Sequence, residues 1–252
     1  MVSDQLTRLT LDRGEMGRFL DKGGLVRAIE PTPINRLLAI AGLGGILAGV
    51  LLVGVLHVVP PSDAVSPVSR TISEYALLDN GWVFVTAVGI LAAGSAAVLV
   101  ASVLVGLVRV DSVACVTLAA WCLGLAGVIL FPKHNWSVGP SASGDVHRVA
   151  SLIAFLSLPV AAILVGRAWR DHPRWHAHAT TILCLGVVSL LSFSPIAYAI
   201  LTEPLTGVRW WRAIPLGAVE RILALSEVIT VLALGWWSAQ AGRTASVAQP
   251  RP

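Results

Sequence analysis

The stretch FPKHNWSVGPSASGDVHRVAS, residues 131–151, decides how this chain is organised. It joins two long apolar runs and carries two histidines, an aspartate, a lysine and an arginine. The whole chain is 56% hydrophobic and only 13% charged, with a mean hydropathy of +0.79. Because soluble domains carry about 25% charged residues, this composition indicates an integral membrane protein in which such a polar segment is the exception.

Six apolar runs are long enough to cross a bilayer, since about 20 apolar residues in a helix span its hydrocarbon core. They cover approximately residues 37–59, 82–107, 112–131, 146–168, 179–201 and 215–237. We therefore predict an all-α, polytopic membrane bundle of six transmembrane helices within residues 35–240. Residues 1–34 are predicted to form a cytoplasmic arm or a surface helix, and residues 241–252 a cytoplasmic tail.

Small residues and prolines predict local features of these helices. Ala41, Gly45 and Gly49 recur every four residues and predict a close contact between the first helix and a neighbour. Pro159 and Pro195 lie inside the fourth and fifth runs and are predicted to kink them.

The basic residues predict the orientation of the bundle. With both termini inside, twelve of the 18 lysines and arginines fall on the cytoplasmic side and six on the outer side. The positive-inside rule therefore favours N-in and C-in, and eight of the nine tryptophans then lie at a membrane boundary. With 16 Arg against 2 Lys, the composition also suggests a bacterial protein of the plasma membrane. Because these cations flank apolar spans, they do not predict nucleic-acid binding.

In this orientation the unusual polar residues converge on the outer face, between and at the start of helices. The candidates for one polar site are Ser73, Glu74, His134, Asp145, His147, Arg148, Glu220 and Arg221, with Glu227 deeper in the last helix. In particular, we predict that Glu74, His147 and Glu220 lie close together.

Glu227 is the most informative single residue because a carboxylate inside a membrane helix is costly and usually functional. It lies seven positions after Glu220, and therefore on the same helical face and about 10 Å deeper. The structural alternative is a neutral carboxyl group that hydrogen-bonds a neighbouring helix, for instance through Ser189, Ser192 or Ser194.

Several chemistries remain open for the other candidates. Asp145 is either a cap of the fourth helix or a functional acid, and Arg148 is spaced to pair with it. Ser73 is either a nucleophile or a cap of the turn before the second helix. Ligand atoms suitable for zinc are present in His134, Asp145, His147 and Glu220. However, no HExxH or CxxC spacing supports a metal site. No cofactor is predicted. The outer arginines are suited to a phosphate headgroup.

Four segments carry a family resemblance. They are RTISEYALLDNGWVF (70–84), the FP pair (131–132), GDVHRVASLIAF (144–155) and ERILALSEVITVLALGWW (220–237). Together they resemble the bacterial membrane family labelled domain of unknown function 998, over approximately residues 37–240. The resemblance implies that the family-type positions are Ser73, Glu74, His147, Glu220 and Arg221, but it implies no activity. The pattern is also distantly similar to the six-helix DRAM family and its lipid-remodelling relatives. The RWWR segment (209–212) fits neither pattern.

Three functional hypotheses follow. The first is a non-catalytic membrane protein whose outer pocket binds a lipid headgroup or docks a partner protein in envelope lipid handling or complex assembly. The second is a membrane-embedded hydrolase or transferase that acts on lipid at the outer leaflet. The third is a proton-coupled transporter that uses Glu227, although the internal repeat of many transporters is missing. The absence of a nucleophile or metal motif favours the first.

Overall fold

The computed structural model describes residues 33–135 and 137–244, and the predicted arm and tail lie almost wholly outside these residues. The described residues form α helices, two short 3-10 helices (Ser62–Ala64 and Ile72–Leu77) and no strand. The α helices are α1 Pro33–Leu56, α2 Gly81–Leu104, α3 Val113–Leu130, α4 Ala142–Trp169, α5 His176–Ser192, α6 Ser194–Thr206, α7 Trp210–Ala213 and α8 Leu216–Thr244.

Six segments of the described chain are long and apolar enough to span a membrane. They are α1, α2, α3, α4, the joined pair α5–α6, and α8. The predicted all-α architecture with six candidate spans is therefore confirmed. Several helices exceed their predicted limits: α1 begins at Pro33, α4 begins at Ala142, the fifth span covers His176–Thr206, and α8 continues to Thr244.

The fifth span is interrupted at Phe193, whose backbone stays in the right-handed helical region. Helix α5 ends at Ser192, and α6 begins at Ser194 with Pro195 in its first turn. Proline lacks an amide hydrogen and clashes with the preceding turn, so it fits the start of a helix and interrupts its interior. Pro159, in contrast, lies inside an uninterrupted α4.

Glycines bring α1 and α2 into close contact. A Cβ atom added to Gly42 would lie 2.7 Å from the carbonyl oxygen of Gly94, and one added to Gly49 would lie 2.6 Å from that of Ala87. The predicted small-residue ridge is thus correct at Gly49, but Gly42 takes the place expected for Ala41, which is exposed.

Helix α8 is the central helix of the bundle. Inside the bundle, 61% of its apolar window is buried, against 22% for that of α1. Buried hydroxyl pairs connect it to two neighbours: Ser238 lies 2.8 Å from Ser102 of α2, and Thr230 lies 3.3 Å from Ser189 of α5. The polar residues of α8 therefore face protein rather than lipid.

We call the end of the bundle that holds residues 57–80, 131–135, 137–141 and 207–215 the site end. Contacts among these segments place them together: Ile72 donates its amide hydrogen to Glu220 of α8, and Lys133 binds Glu74. The predicted N-in orientation would place the site end outside the cell, and it remains a prediction.

Cysteine labelling tests that orientation. We expect Val138→Cys, at a site-end position that is 86% exposed, to react with an impermeant maleimide in intact cells. Val110→Cys, 74% exposed at the opposite end, should react only after lysis. Both substitutions are made in a protein whose native cysteines are replaced by alanine, namely Cys115, Cys122 and Cys184. The reverse labelling pattern would overturn the N-in orientation.

Candidate functional site

A cavity of about 770 Å³ opens at the site end. Its lining contains both polar and apolar side chains. The polar lining consists of Ser69, Arg70, Thr71, Ser73, Glu74, Lys133, His134, Gly144, His147, Arg148, Ser151, Arg212 and Glu220. The apolar lining consists of Leu152, Phe155, Phe193, Ile196, Trp210, Trp211, Ile214 and Leu216. Six of the nine candidate residues thus surround one cavity, among them Glu74, His147 and Glu220.

Lys133 organises one side of this cavity. Its ammonium group donates to Oε1 of Glu74 at 2.7 Å and to the hydroxyl of Thr71 at 2.9 Å. Thr71 in turn lies 3.2 Å from the hydroxyl of Ser73. Lys133 is 11% exposed, so this ion pair is largely shielded from solvent. Lys133 was not among the residues predicted from the sequence; its position two residues after the apolar run that ends in Phe131 was the available signal.

His134 is held between the loop and the start of α4. The amide of Ser141 donates to its Nδ1 at 2.9 Å, and its Nε2 lies 3.3 Å from a carboxylate oxygen of Asp145. The ring packs so tightly on Gly144 that an added Cβ atom would overlap it. Ser141, rather than Asp145, caps α4, since its hydroxyl accepts the amide hydrogen of Gly144 at 3.1 Å. Asp145 occupies the first turn and lies 4.0 Å from Arg148.

His147 is fixed by backbone carbonyl groups. Its Nδ1 lies 2.9 Å from the oxygen of Phe131 and 3.1 Å from that of Val128. A carbonyl oxygen can only accept a hydrogen bond, so Nδ1 carries the hydrogen atom. The side chain therefore closes the last turn of α3, whose terminal carbonyl groups have no partner within the helix.

Glu220 holds the 3-10 helix Ile72–Leu77 against α8. Its Oε2 accepts the amide hydrogen of Ile72 at 2.8 Å, which satisfies one of the free amides at the start of that helix. Ser73 lies inside the same 3-10 helix. The cap positions of this turn are Thr71 and Leu78, so the structural alternative, in which Ser73 caps the turn before the second helix, is wrong.

Arg221 does not line the cavity. Its guanidinium group instead makes hydrogen bonds to several residues of the segment 57–80. Its Nε donates to Nε2 of His57 at 3.0 Å, and one terminal nitrogen donates to the carbonyl oxygens of Pro67 and Arg70 at 2.9 and 2.8 Å. The other terminal nitrogen lies 3.2 Å from the hydroxyl of Tyr75. Arg221, a site candidate from the sequence, therefore stabilises the fold of this segment.

Glu227 lies apart from the cavity lining and is fully buried. Neither of its carboxyl oxygens has a hydrogen-bond partner among the described residues. The partners expected from the structural alternative bond elsewhere: Ser189 pairs with Thr230, and Ser192 donates to the carbonyl oxygen of Val188 in its own helix. Ser194 is exposed. The hydrogen-bonded alternative for Glu227 is therefore wrong in this arrangement.

The described residues do not group the zinc candidates around a common point. Within residues 33–135 and 137–244, no group of three or more His, Cys, Asp or Glu side chains is arranged to hold a metal ion. The reason is visible in the two histidines, because Nδ1 of His147 is directed at backbone oxygens and both nitrogens of His134 face protein groups.

The RWWR segment builds the apolar wall of the cavity. Trp210 and Trp211 form half of the short helix α7 and pack with Ile214 on a small hydrophobic cluster. Arg212, at the end of the segment, lines the cavity and makes no ion pair with any described residue. A pair of tryptophans beside arginines at a membrane boundary was the sequence signal for this wall.

Comparison with known proteins adds one finding. The family described as "Protein of unknown function (DUF998)" matches residues 43–237. No curated protein and no solved structure gives a significant match. The distant similarity to DRAM-like proteins is therefore not shown.

Proposed function

Because this chain belongs to the DUF998 family of membrane proteins, whose name assigns no activity, we propose a function from the cavity itself: it binds the headgroup of an anionic phospholipid. In this proposal the protein is a non-catalytic, multi-pass protein of the bacterial plasma membrane that takes part in envelope lipid handling at the outer leaflet.

The observation that carries the proposal is that cationic and apolar side chains line the same cavity. Four cationic side chains, Arg70, Lys133, Arg148 and Arg212, line it together with only two carboxylates. One of these carboxylates, Glu74, is already bound by Lys133. The remaining positive charge suits a phosphate group, which arginine binds with charge-assisted hydrogen bonds.

The apolar part of the wall suits an acyl chain. Four aromatic residues line the same cavity: Phe155 of α4, Phe193 at the junction of α5 and α6, and Trp210 and Trp211 of α7. A soluble anion would leave these aromatic surfaces exposed to water, whereas a lipid would cover them and place its phosphate at the arginines. Tryptophan and arginine at the depth of the headgroups are typical of such a boundary.

Lipid retention in native mass spectrometry tests this function. We expect the purified protein to retain phosphatidylglycerol in preference to phosphatidylcholine. The double variant Arg148→Gln/Arg212→Gln should lose at least about tenfold in affinity for phosphatidylglycerol, because each lost charge-assisted bond to phosphate is worth about 1.5–3 kcal/mol.

The matched control is Arg109→Gln/Arg170→Gln, which removes two exposed arginines at the opposite end and should leave retention unchanged. Equal retention of both lipids, or full retention by the Arg148 and Arg212 variant, would contradict the proposal. Turnover of the bound lipid would appear as a changed lipid mass. That result would favour a hydrolase or transferase over a binding protein, and Ser73 and His147 both line the cavity in which the reaction would occur.

A further inference from the structure

The wall of the cavity holds a histidine with a defined acceptor atom. Since Nδ1 of His147 donates to the carbonyl oxygens of Phe131 and Val128, the neutral ring carries its lone pair on Nε2. Nε2 has no hydrogen-bond partner among the described residues, although the side chain is 94% buried and lines the cavity. A bound molecule that offers a hydrogen-bond donor would satisfy this atom.

Glu220 supplies a second acceptor on the same wall. One of its oxygens, Oε2, is committed to the amide of Ile72 at 2.8 Å. The other oxygen has no partner in the described part of the chain, and the side chain lines the cavity. Both acceptors are held by backbone groups, so they are positioned before any ligand arrives, which reduces the ordering cost of binding.

The donors that match these acceptors are hydroxyl groups rather than an ammonium group. An ethanolamine headgroup would bring a positive charge into a lining that already holds Arg70, Lys133, Arg148 and Arg212. A choline headgroup has no hydrogen to donate. Hydroxyl groups donate without adding charge, and therefore combine with a phosphate that the arginines bind.

We propose that the cavity selects a phospholipid whose phosphate is esterified to a polyol, with the polyol hydroxyls donating to His147 and Glu220. This proposal rests on the proposed function of anionic lipid binding and names its ligand class. His147 and Glu220 recognise the headgroup by accepting hydrogen bonds from its hydroxyl groups. The arginines bind the phosphate that all such lipids share.

The decisive comparison uses two lipids of equal charge. Phosphatidylglycerol and phosphatidylmethanol both carry one phosphodiester charge, but only the first has free headgroup hydroxyls. We expect the full-length protein in detergent to bind phosphatidylglycerol at least about fivefold more tightly, as one or two neutral hydrogen bonds provide. Glycerol 3-phosphate at the same concentration should not displace the lipid, because it has no acyl chain to cover the apolar wall.

Two variants assign the preference to the named acceptors. His147→Asn keeps a donor near Nδ1 for the carbonyls of α3 and removes the acceptor at Nε2. Glu220→Gln must use its single oxygen for the amide of Ile72 and then presents an NH₂ group. Each should lower affinity for phosphatidylglycerol about fivefold and leave phosphatidylmethanol binding unchanged. His172→Asn at the opposite end is the matched control.

The possible results distinguish the preference for a polyol headgroup from anionic lipid binding itself. Equal binding of the two lipids that still depends on Arg148 and Arg212 would overturn the polyol assignment and leave anionic lipid binding in place. Binding of neither lipid would overturn both. Displacement by glycerol 3-phosphate alone would show that a soluble phosphate ester, not a lipid, is the ligand. If His147→Asn does not fold, Glu220→Gln decides.

Discussion

Replacing Arg221 with methionine should destabilise the protein by about 2 to 4 kcal/mol, because a charged group that satisfies several backbone carbonyls is lost. The guanidinium group binds His57 and the carbonyl oxygens of Pro67 and Arg70, and methionine leaves these acceptors without their donor. The loss should appear as a lower unfolding temperature and as faster proteolysis within residues 57–80.

Arg170→Met provides the comparison for this prediction. Arg170 lies at the opposite end, 58% exposed, with only a neighbouring aspartate 3.3 Å away. Exposed pairs of this kind contribute about 0–1 kcal/mol, so stability should barely change. An Arg221→Met protein as stable as the Arg170→Met protein would show that Arg221 does not hold the segment, and would return it to the ligand-binding candidates.

Replacing Glu227 with methionine should stabilise the protein by about 1 to 3 kcal/mol. Both carboxyl oxygens of Glu227 are buried without a partner in the described chain, and this arrangement costs free energy in the folded state. Methionine has a similar length and flexibility and removes that cost. Chemical unfolding of the purified protein in detergent measures the change.

Glu227→Gln separates packing from chemistry. The amide keeps the shape of the side chain and remains without a partner, so we expect stability within about 1 kcal/mol of the parent protein. If Glu227 serves as a proton acceptor or a ligand, this folded variant should lose the function of the protein, since an amide does not titrate. A Glu227→Met protein that unfolds more easily than the parent would show instead that Glu227 has a stabilising partner, such as a bound water molecule.

The membrane spans were predictable from sequence because the bilayer imposes a length. About 20 apolar residues must follow one another to cross the hydrocarbon core, and this signal does not depend on neighbouring helices. The runs in the sequence therefore correspond to the helices found from Pro33 onward. The break before Pro195 was only partly predictable, since proline marks an interruption but does not reveal whether the chain kinks or starts a new helix.

The composition of the cavity was predictable only in part. Helix starts and short loops at one face concentrate polar residues, and this placed Glu74, His147 and Glu220 around one cavity. That they act together stays a prediction. Pairings across loops depend on the folded path of the chain, so the bond from Lys133 to Glu74 was missed.

The hydrogen-bond partners of Arg221 and Glu227 could not be predicted from the sequence. Both are polar residues of α8, and sequence spacing alone ranked them as functional. In the folded chain the first is surrounded by acceptors and the second has none. Sequence position indicates that a polar group is buried but does not identify what it meets.

The cavity lining has a practical thermodynamic consequence. Its residues come from the segments 69–74 and 133–134, from Phe193 and Ile196, and from α4 and the stretch 210–220, so that a ligand in the cavity contacts segments far apart in sequence. A molecule that binds only this assembled state shifts the folding equilibrium by mass action, by about 2.7 kcal/mol at a hundred times its Kd. Melting curves recorded across a lipid library would therefore rank ligands without any assay of activity.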